Sequence, residues 1–329
     1  MKIVALEEHF ATPGIVQAWH GLPLEERDLA EARSSGTQLE DKLRDFGAAR
    51  IAAMDAAGID VAVLSQTTPG TQVLAPAAAL TLAREANDRV AECVRARPDR
   101  FQGFATLPTP APEAAAQELE RAIRELGLHG AMLCGRTGER NLDHPAFFPL
   151  LQTAARLHAP LYIHPQTPQA GVRRAYYAGL GEGVEAMFAT AGIGWHFETG
   201  IQALRLILSG VFERLPDLRI VLGHWGEVVL FYLERIDAAM AGAELPQPVS
   251  AYFRKHFWIT PGGILSQRYL RWSAETIGAE RIMMATDYPY QTFKDGAARR
   301  FLAESGLDPA RQAAIASGTW DKLCAEIRR

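Results

Sequence analysis

Acidic and histidine side chains stand at the ends of four short apolar runs in this sequence. Glu7 and His9 end the first run, and His164, His224 and Asp287 end three later ones. Carboxylates and imidazoles are ligands for Zn²⁺ and Mn²⁺, and they also transfer protons in general acid–base catalysis. If the four runs are strands, their ends predict a metal-dependent enzyme.

The predicted metal ligands are Glu7, His9, His164 and Asp287. Residues two apart in a strand face the same side, so Glu7 and His9 can bind one ion together. His164 and Asp287 would complete the coordination from across a closed sheet. Two imidazoles and two carboxylates at an open site suit one Zn²⁺ or Mn²⁺ ion. Glu8 faces the opposite side, and we expect a supporting role for it.

His224 and Glu227 form a second candidate group, three residues apart in the chain. If a helix begins just after His224, Glu227 lies one turn further on and can reach the imidazole. A carboxylate that holds an imidazole fixes its tautomer and raises its basicity. The pair could transfer protons, supply a fifth metal contact, or form only a structural hydrogen bond. His196, in a long segment after a predicted strand, could touch a substrate or be structural.

The elements that must position these residues are eight short strands that alternate with helical patterns. Residues 144–158, for example, carry a helical apolar stripe. Alternation of this kind predicts an α/β fold, a (β/α)8 TIM barrel formed as one domain by residues 1–329. An open doubly wound sheet is the alternative, but no GxGxxG motif follows the first strand. The predicted strands are 3–9, 61–66, 101–106, 129–134, 161–164, 218–224, 257–260 and 281–287.

Two segments are longer than a barrel requires. Residues 10–37 include a charged run from Glu25 to Arg33, and residues 165–200 are rich in Gly, Ala and aromatic residues. Loops that follow barrel strands lie over the mouth, so both segments are candidate lids or substrate walls. Oligomer contacts or plain surface insertions are the alternatives.

Charge and composition narrow the class of protein. The net charge is −4 and no basic cluster is present, which argues against nucleic-acid binding. No apolar stretch reaches membrane-spanning length, and the first predicted strand begins too early for a signal peptide. The three cysteines form no CxxC pair and suit a reducing compartment. We expect a cytoplasmic enzyme without membrane or nucleic-acid partners.

Several motifs resemble those of the amidohydrolase superfamily, in particular its branch of metal-dependent decarboxylases related to γ-resorcylate (2,6-dihydroxybenzoate) decarboxylase. The resemblance covers nearly the whole chain. It implies metal binding by the four ligands named above, assistance at the reacting centre by His224 and Glu227, and a homodimer or homotetramer. The similar motifs are residues 5–10, 51–60, 162–165, 204–212, 222–227 and 286–290.

Two departures from the hydrolase pattern predict a single metal ion. Hydrolases of this superfamily typically open with H-x-H, whereas this chain has Glu7-x-His9. Many also carry a carbamylated lysine at the end of the fourth strand, where this chain reads 129–134 without lysine. A bridged pair of metal ions is therefore not expected.

The resemblance implies non-oxidative decarboxylation of an ortho-hydroxybenzoate-type acid, with a small aromatic carboxylic acid as substrate. Asp287 is the first choice for the acid that protonates the ring, and His224 is the second. We expect Trp195, His196 and Tyr290 to contact the substrate, with Phe197 and Tyr288 also available. The alternatives are a mononuclear hydrolase of a lactone or amide, an aminocarboxymuconate-type decarboxylase, and a binding module without turnover.

Overall fold

The computed structural model describes residues 1–23 and 26–329, and Glu25 of the predicted charged run lies outside the described residues. All strand pairs in the described part are parallel. The strands are β1 Val4–Phe10, β2 Val61–Gln66, β3 Phe101–Gly103, β4 Ala105–Thr106, β5 Ala131–Cys134, β6 Leu161–His164, β7 Ile220–Leu222, β8 Phe257–Ile259 and β9 Met284–Ala285.

The strands close into a barrel. One sheet has the order β3-β2-β1-β9 and the other has the order β4-β5-β6-β7-β8. Only Phe104 separates β3 from β4, so the two are halves of one interrupted strand. A parallel bridge between Ile259 and Ile282 joins the other edges. The predicted eight-stranded α/β barrel is confirmed, although several predicted strands extended beyond the residues that pair.

Helices follow the strands and surround the barrel. They are α1 Pro13–His20, α2 Leu29–Ser34, α3 Gln38–Arg44, α4 Ala48–Ala57, α5 Pro76–Ala96, α6 Pro112–Arg124, α7 Phe148–Leu157, α8 Ala170–Val172, α9 Glu182–Met187, α10 Gly194–Leu208, α11 Val211–Arg214, α12 His224–Glu227, α13 Leu233–Ala239, α14 Val249–His256, α15 Gln267–Ile277, α16 Ala297–Ala303, α17 Pro309–Ala313 and α18 Thr319–Ala325. Single 3₁₀ or π turns cover Pro145–Phe147, Arg173–Tyr177, Phe188–Gly192, Val229–Tyr232, Ala279–Arg281 and Ala314–Gly318.

The barrel interior is a packed core that is closed at the amino-terminal ends of the strands. Val4, Leu6 and Val63 belong to this inner apolar cluster, together with Trp320 of α18. The Trp320 indole donates a hydrogen bond to Gln102 Oε1 over 2.6 Å. A second, larger cluster packs the outer faces of the strands against the helices. The polar site is therefore confined to the carboxyl-terminal ends of the strands.

Both long segments contain helices, which corrects one expectation. Residues 10–37 include α1 and α2, and residues 165–200 include α8, α9 and the start of α10. Trp195 and His196 therefore lie in the first turn of a helix and not in a loop. Ile193 precedes that helix without a capping side chain, so the usual N-terminal signal is missing from the sequence.

Within the described ranges, no helix is both long and apolar enough to cross a membrane. The three cysteines are unpaired, and two of them, Cys93 and Cys134, are buried. Organisation of residues 1–329 as one domain stays a prediction.

Candidate active site

The strand ends bring the four predicted metal ligands together. One ligand-type atom each of Glu7, His9, His164 and Asp287 lies within 4.8 Å of the others. Asp287 Oδ1 is 3.3 Å from His9 Nε2, and Glu7 Oε1 is 3.4 Å from His164 Nε2. Glu7 and His9 are fully buried, whereas the Asp287 side chain is 14% exposed. The cluster therefore opens on the side of Asp287.

A bulge in β1 turns Glu7 into the barrel. Ala5 pairs with Ala62 and Glu8 pairs with Leu64, so β1 has one extra residue at this point. Glu7 takes a φ of 63°, in the left-handed region that non-glycine residues rarely adopt. Leu6 is part of the inner core. Simple alternation would place Glu7 on the opposite face from Leu6, and the bulge lets both face inward.

The cluster fits a bound cation. Glu7 Oε1 and both ring nitrogens of His9 are buried without a hydrogen-bond partner. His164 Nδ1 donates to the Pro165 carbonyl over 2.9 Å, which leaves its Nε2 lone pair directed at Glu7. Converging buried acceptors of this kind are unfavourable unless a cation lies between them.

The pKa shifts of these four residues in the protein without metal also favour a bound cation. Burial raises the pKa of Glu7 to about 8 and that of Asp287 to about 7, although nearby His224 opposes both shifts. Burial also lowers the pKa of His9 to about 3 and that of His164 well below its usual value. The imidazoles are therefore neutral and can offer lone pairs, and a cation would favour the charged carboxylates.

Polar side chains from neighbouring strands support Glu7. Tyr162 donates its hydroxyl hydrogen bond to Glu7 Oε2, and Thr260 Oγ1 lies 3.4 Å from the same oxygen. A Cβ atom at Gly223 would lie 3.1 Å from Glu7 Oε1 and 2.9 Å from the Tyr162 hydroxyl, so Gly223 makes room for both. None of these residues carries a sequence signal for this role, because each would also be an ordinary core or turn residue.

Arg50 supports His9 from outside the barrel. Its side chain is 1% exposed, and Nη2 donates to the His9 carbonyl over 2.5 Å. The guanidinium also lies 5.0 Å from the centre of the Tyr288 ring. The Tyr288 ring therefore packs on the Arg50 guanidinium. An arginine inside a helical apolar pattern carries no sequence signal for this role.

His224 and Glu227 do form the predicted contact, but not on a right-handed helix. His224, Trp225, Gly226, Glu227 and Val228 have φ values of 45°, 59°, 82°, 54° and 62°. They form a left-handed turn directly after β7 and Gly223. Within this turn His224 Nδ1 lies 2.7 Å from Glu227 Oε1. The helix considered after His224 is thus the short α12, which is left-handed, and a run of left-handed residues has no sequence pattern in this largely non-glycine stretch.

Charges favour a protonated His224 beside an ionised Glu227. Burial alone would lower the pKa of His224, but Glu227 and Glu7 outweigh it and raise that pKa to about 10. Burial alone would raise the pKa of Glu227, but His224 and His196 outweigh it and lower that pKa to about 2. His224 Nε2 lies 3.8 Å from Glu7 Oε1, at the edge of the ligand cluster.

Two of the three predicted substrate contacts lie beside the ligand cluster, and the third is hydrogen-bonded to Glu227. The Trp195 ring centre lies 6.3 Å from that of His164, and the Tyr290 ring centre lies 5.5 Å from that of His9. Tyr290 also shares a hydrogen bond of 2.7 Å with Thr67 Oγ1. Trp195 and Tyr290 thus border the ligand cluster. His196 has both ring nitrogens in hydrogen bonds, to Glu227 and to Trp195.

A cavity of about 480 Å³ opens beside the cluster. His196 and His224 form its polar wall, and Phe197 and Trp225 contribute to an otherwise apolar lining. A pocket of this size and composition is suitable for a small aromatic molecule.

Comparison with known proteins identifies the family. A model of the amidohydrolase family matches residues 16–319. This chain belongs to the amidohydrolase family. The resemblance inferred from the motifs is thereby confirmed.

The named relatives within this amidohydrolase group are decarboxylases. A γ-resorcylate decarboxylase from Polaromonas sp. is 35% identical over 89% of this chain and 90% of its own length. The solved structure of a dihydroxybenzoic acid decarboxylase from Polaromonas sp., with bound manganese and 2-nitroresorcinol, has a TM-score of 0.85 at 31% identity, covering 98% of this chain and 97% of that chain. A 5-carboxyvanillate decarboxylase from Novosphingobium aromaticivorans, complexed with manganese and 4-hydroxy-3-methoxy-5-nitrobenzoic acid, has a TM-score of 0.90 at 30% identity, covering 98% and 96%.

The lysines of this amidohydrolase are all remote from the ligand cluster. Lys2, Lys42, Lys255, Lys294 and Lys322 are exposed. β5, where a bridging lysine could stand, ends at Cys134 beside His164 of β6. The cluster of Glu7, His9, His164 and Asp287 therefore has no lysine beside it that could bridge two ions, and it could hold one.

Proposed function

We propose that this protein is a metal-dependent decarboxylase of an ortho-hydroxybenzoate-type aromatic acid. The observation that carries the proposal is the position of Asp287, a partly exposed carboxyl that belongs to the ligand cluster and lies at its open side. Such a group can reach both a bound ion and a substrate. The decarboxylases among the relatives, at 35% identity over most of the chain, support the same reaction.

Glu7, His9, His164 and Asp287 would hold one divalent ion. Zn²⁺ and Mn²⁺ both accept this ligand set, and manganese in the two related structures favours Mn²⁺. When bound, the ion supplies a Lewis acid and a template for the carboxylate and the neighbouring phenolic oxygen of the substrate.

Asp287 is our first choice for the proton donor. Its proton adds to the ring carbon that carries the carboxylate. The bond from that carbon to the carboxylate then breaks, its electron pair restores the aromatic ring, and CO2 leaves. Asp287 would carry this proton only after its contact with the metal loosens in the substrate complex, and its position at the open side of the cluster would allow that. By microscopic reversibility, high bicarbonate should drive carboxylation of the phenol.

His224 is the alternative donor, and Glu227 holds it in either case. With Nδ1 bound to Glu227, only Nε2 of His224 is directed toward the ligand cluster. A protonated imidazole in this orientation could deliver the same proton.

Trp195, His196 and Tyr290 would form the walls around the aromatic ring. Trp195 and Tyr290 flank the ligands His164 and His9, and His196 lines the adjacent cavity. Because the ring nitrogens of His196 are engaged, we assign its substrate contact to the face or edge of its ring.

Hydrolysis of a lactone or amide by the same ligands is the main alternative, and an aminocarboxymuconate-type decarboxylase is another. Product analysis separates them. The manganese-loaded protein is incubated with salicylate, 2,3- and 2,6-dihydroxybenzoate and orsellinate, and with aryl lactones, while CO2 and ring products are quantified. We expect CO2 and the corresponding phenol in equal amounts from at least one hydroxybenzoate. Acid formation from a lactone without CO2 release from any hydroxybenzoate would contradict the proposal.

A homodimer or homotetramer and a cytoplasmic location stay predictions for this decarboxylase. Sedimentation analysis of the purified protein tests the assembly.

A further inference from the structure

Trp195 and His196 extend the pair of Glu227 and His224 into a chain of four hydrogen-bonded side chains. Trp195 Nε1 lies 3.2 Å from His196 Nε2, and His196 Nδ1 lies 2.7 Å from Glu227 Oε2. The other oxygen, Glu227 Oε1, lies 2.7 Å from His224 Nδ1. We propose that Trp195 and His196 are positioning residues that hold Glu227, and through it His224, in place for turnover. This inference rests on the proposed decarboxylase function.

The indole determines which nitrogen of His196 carries its proton. An indole N–H can only donate a hydrogen bond, so His196 Nε2 must accept. The proton of the neutral ring is then on Nδ1, which donates to Glu227. Because His224 Nδ1 donates to the second oxygen, both oxygens of the buried Glu227 carboxylate are occupied. A carboxylate held from two sides cannot rotate without losing a charge-assisted hydrogen bond.

The same indole argues against a second metal ion at this position. His196, His224 and Glu227 each offer an atom within 4.8 Å of the others, which by residue type and distance could hold an ion. An ion on His196 Nδ1 would need the lone pair there and would move the ring proton to Nε2. That proton would then face the N–H of Trp195 over 3.2 Å. The hydrogen-bonded chain is the arrangement that satisfies all four side chains.

Two glycines allow α10 to pack closely against the left-handed turn on one side and against the preceding turn Phe188–Gly192 on the other. A Cβ atom at Gly200 would lie 2.7 Å from the Glu227 carbonyl oxygen. A Cβ atom at Gly194, directly before Trp195, would lie 2.3 Å from the Ala189 carbonyl oxygen. The start of α10 is therefore fixed against both neighbours, and His196 has little freedom to leave Glu227.

Steady-state kinetics of the manganese-loaded protein test the positioning role. For His196→Leu we expect kcat to fall about 10–100-fold while KM changes less than about threefold, because leucine keeps an apolar surface toward the substrate but loses the hydrogen bond that holds Glu227. His196→Asn keeps an N–H donor near the position of Nδ1 and should restore most of kcat. Trp195→Phe should lower kcat in the same way. Trp320→Phe, which loses an indole hydrogen bond at the opposite end of the barrel, should leave kcat unchanged.

Nitrogen-15 NMR of histidine-labelled protein gives a reading that does not depend on turnover. We expect His196 as the neutral Nδ1–H tautomer in the wild type, and a shift toward the Nε2–H tautomer in Trp195→Phe. Metal analysis should give the same content per chain in wild type and His196→Leu.

Separate outcomes overturn the inference and the proposed function. An Nε2–H tautomer of His196 in the wild type, or loss of one metal ion per chain in His196→Leu, would overturn the positioning role, as would a raised KM with normal kcat. If no hydroxybenzoate is turned over, the proposed function fails, and the tautomer and the metal content still decide whether the chain of hydrogen bonds exists.

Discussion

Glu8 and Thr286 join β1 to the segment directly after β9, and these two parts of the chain carry three of the four predicted metal ligands. Glu8 Oε1 accepts hydrogen bonds from the Thr286 backbone N–H over 2.9 Å and from its hydroxyl over 2.7 Å. Glu8 stands between Glu7 and His9, and Thr286 directly precedes Asp287. Glu8 and Thr286 are both buried, so these two hydrogen bonds fix the distance between Asp287 and the predicted ligands of β1.

We predict that loosening this link weakens metal binding. Thr286→Val keeps the shape of the side chain but removes the hydroxyl donor, and we expect about 10–100-fold weaker Mn²⁺ affinity because supporting hydrogen bonds orient the ligands. Titration with a metal buffer measures the affinity. Glu304→Gln, which neutralises an exposed carboxylate, is the control and should bind Mn²⁺ normally. Equal affinity in Thr286→Val would show that the link is not needed for the ligand geometry.

We predict that the stability gained from metal binding grows as the pH rises. In the metal-free fold the pKa of Glu7 is raised from 4.5 to about 8 and that of Asp287 from 3.8 to about 7. The folded state then holds protons that the unfolded chain has lost, so metal-free stability falls from about pH 5 to pH 8. Bound metal replaces those protons.

Thermal unfolding measures this effect. The difference in Tm between Mn²⁺-loaded and chelator-treated protein should increase steadily between pH 5.5 and pH 8, and metal binding at pH 6.5 should release protons. A difference in Tm that stays constant over this range would contradict the shifted carboxyl pKa values.

We predict one metal ion per chain. The cluster has four ligands, and all five lysines are exposed. Without a carbamylated lysine to bridge them, two ions in contact would repel each other strongly. Metal analysis after loading with excess Mn²⁺ and desalting should give one ion per chain. Two ions per chain, retained through desalting, would contradict the mononuclear site.

We predict that Gly200→Ala is destabilising. The added Cβ atom would lie 2.7 Å from the Glu227 carbonyl oxygen, so either α10 or the left-handed turn must move. Overpacking of this kind typically costs about 1–3 kcal/mol of unfolding free energy. Gly183→Ala is the matched control, because a Cβ atom there meets no atom within 4 Å. Denaturant unfolding of both variants tests the difference, and equal stability would show that the turn can move freely.

The sequence was sufficient to predict the barrel and to place four candidate ligands at its mouth, where the structure brings Glu7, His9, His164 and Asp287 together. Strand runs and the residues that end them are local features, and parallel strands bring those ends to one mouth. Glu7 faces inward only through the bulge in β1, however. The alternation of side chains in a strand predicted that Glu7 and His9 face the same side. The two do lie together, but the bulge shows that β1 does not alternate regularly at this point.

The parts that the sequence could not predict are set by tertiary contacts. The left-handed turn from His224 to Val228 and the uncapped start of α10 are both held by packing and not by local propensity. The contact between His196 and Glu227 joins residues 31 apart on two such elements. A lone histidine in a segment without a regular pattern therefore could not be assigned this partner in advance.

Turnover by Asp287→Asn tests whether Asp287 delivers the proton for decarboxylation. Asp295→Asn is the matched control, because Asp295 is exposed and has a φ of 53°, close to the 59° of Asp287. CO2 release from the best hydroxybenzoate is measured with wild type and both variants at saturating Mn²⁺, with metal content determined in each. We predict normal release by Asp295→Asn and a fall of at least about 100-fold for Asp287→Asn. Release by Asp287→Asn at close to the wild-type rate, with metal bound, would show that Asp287 is not the proton donor.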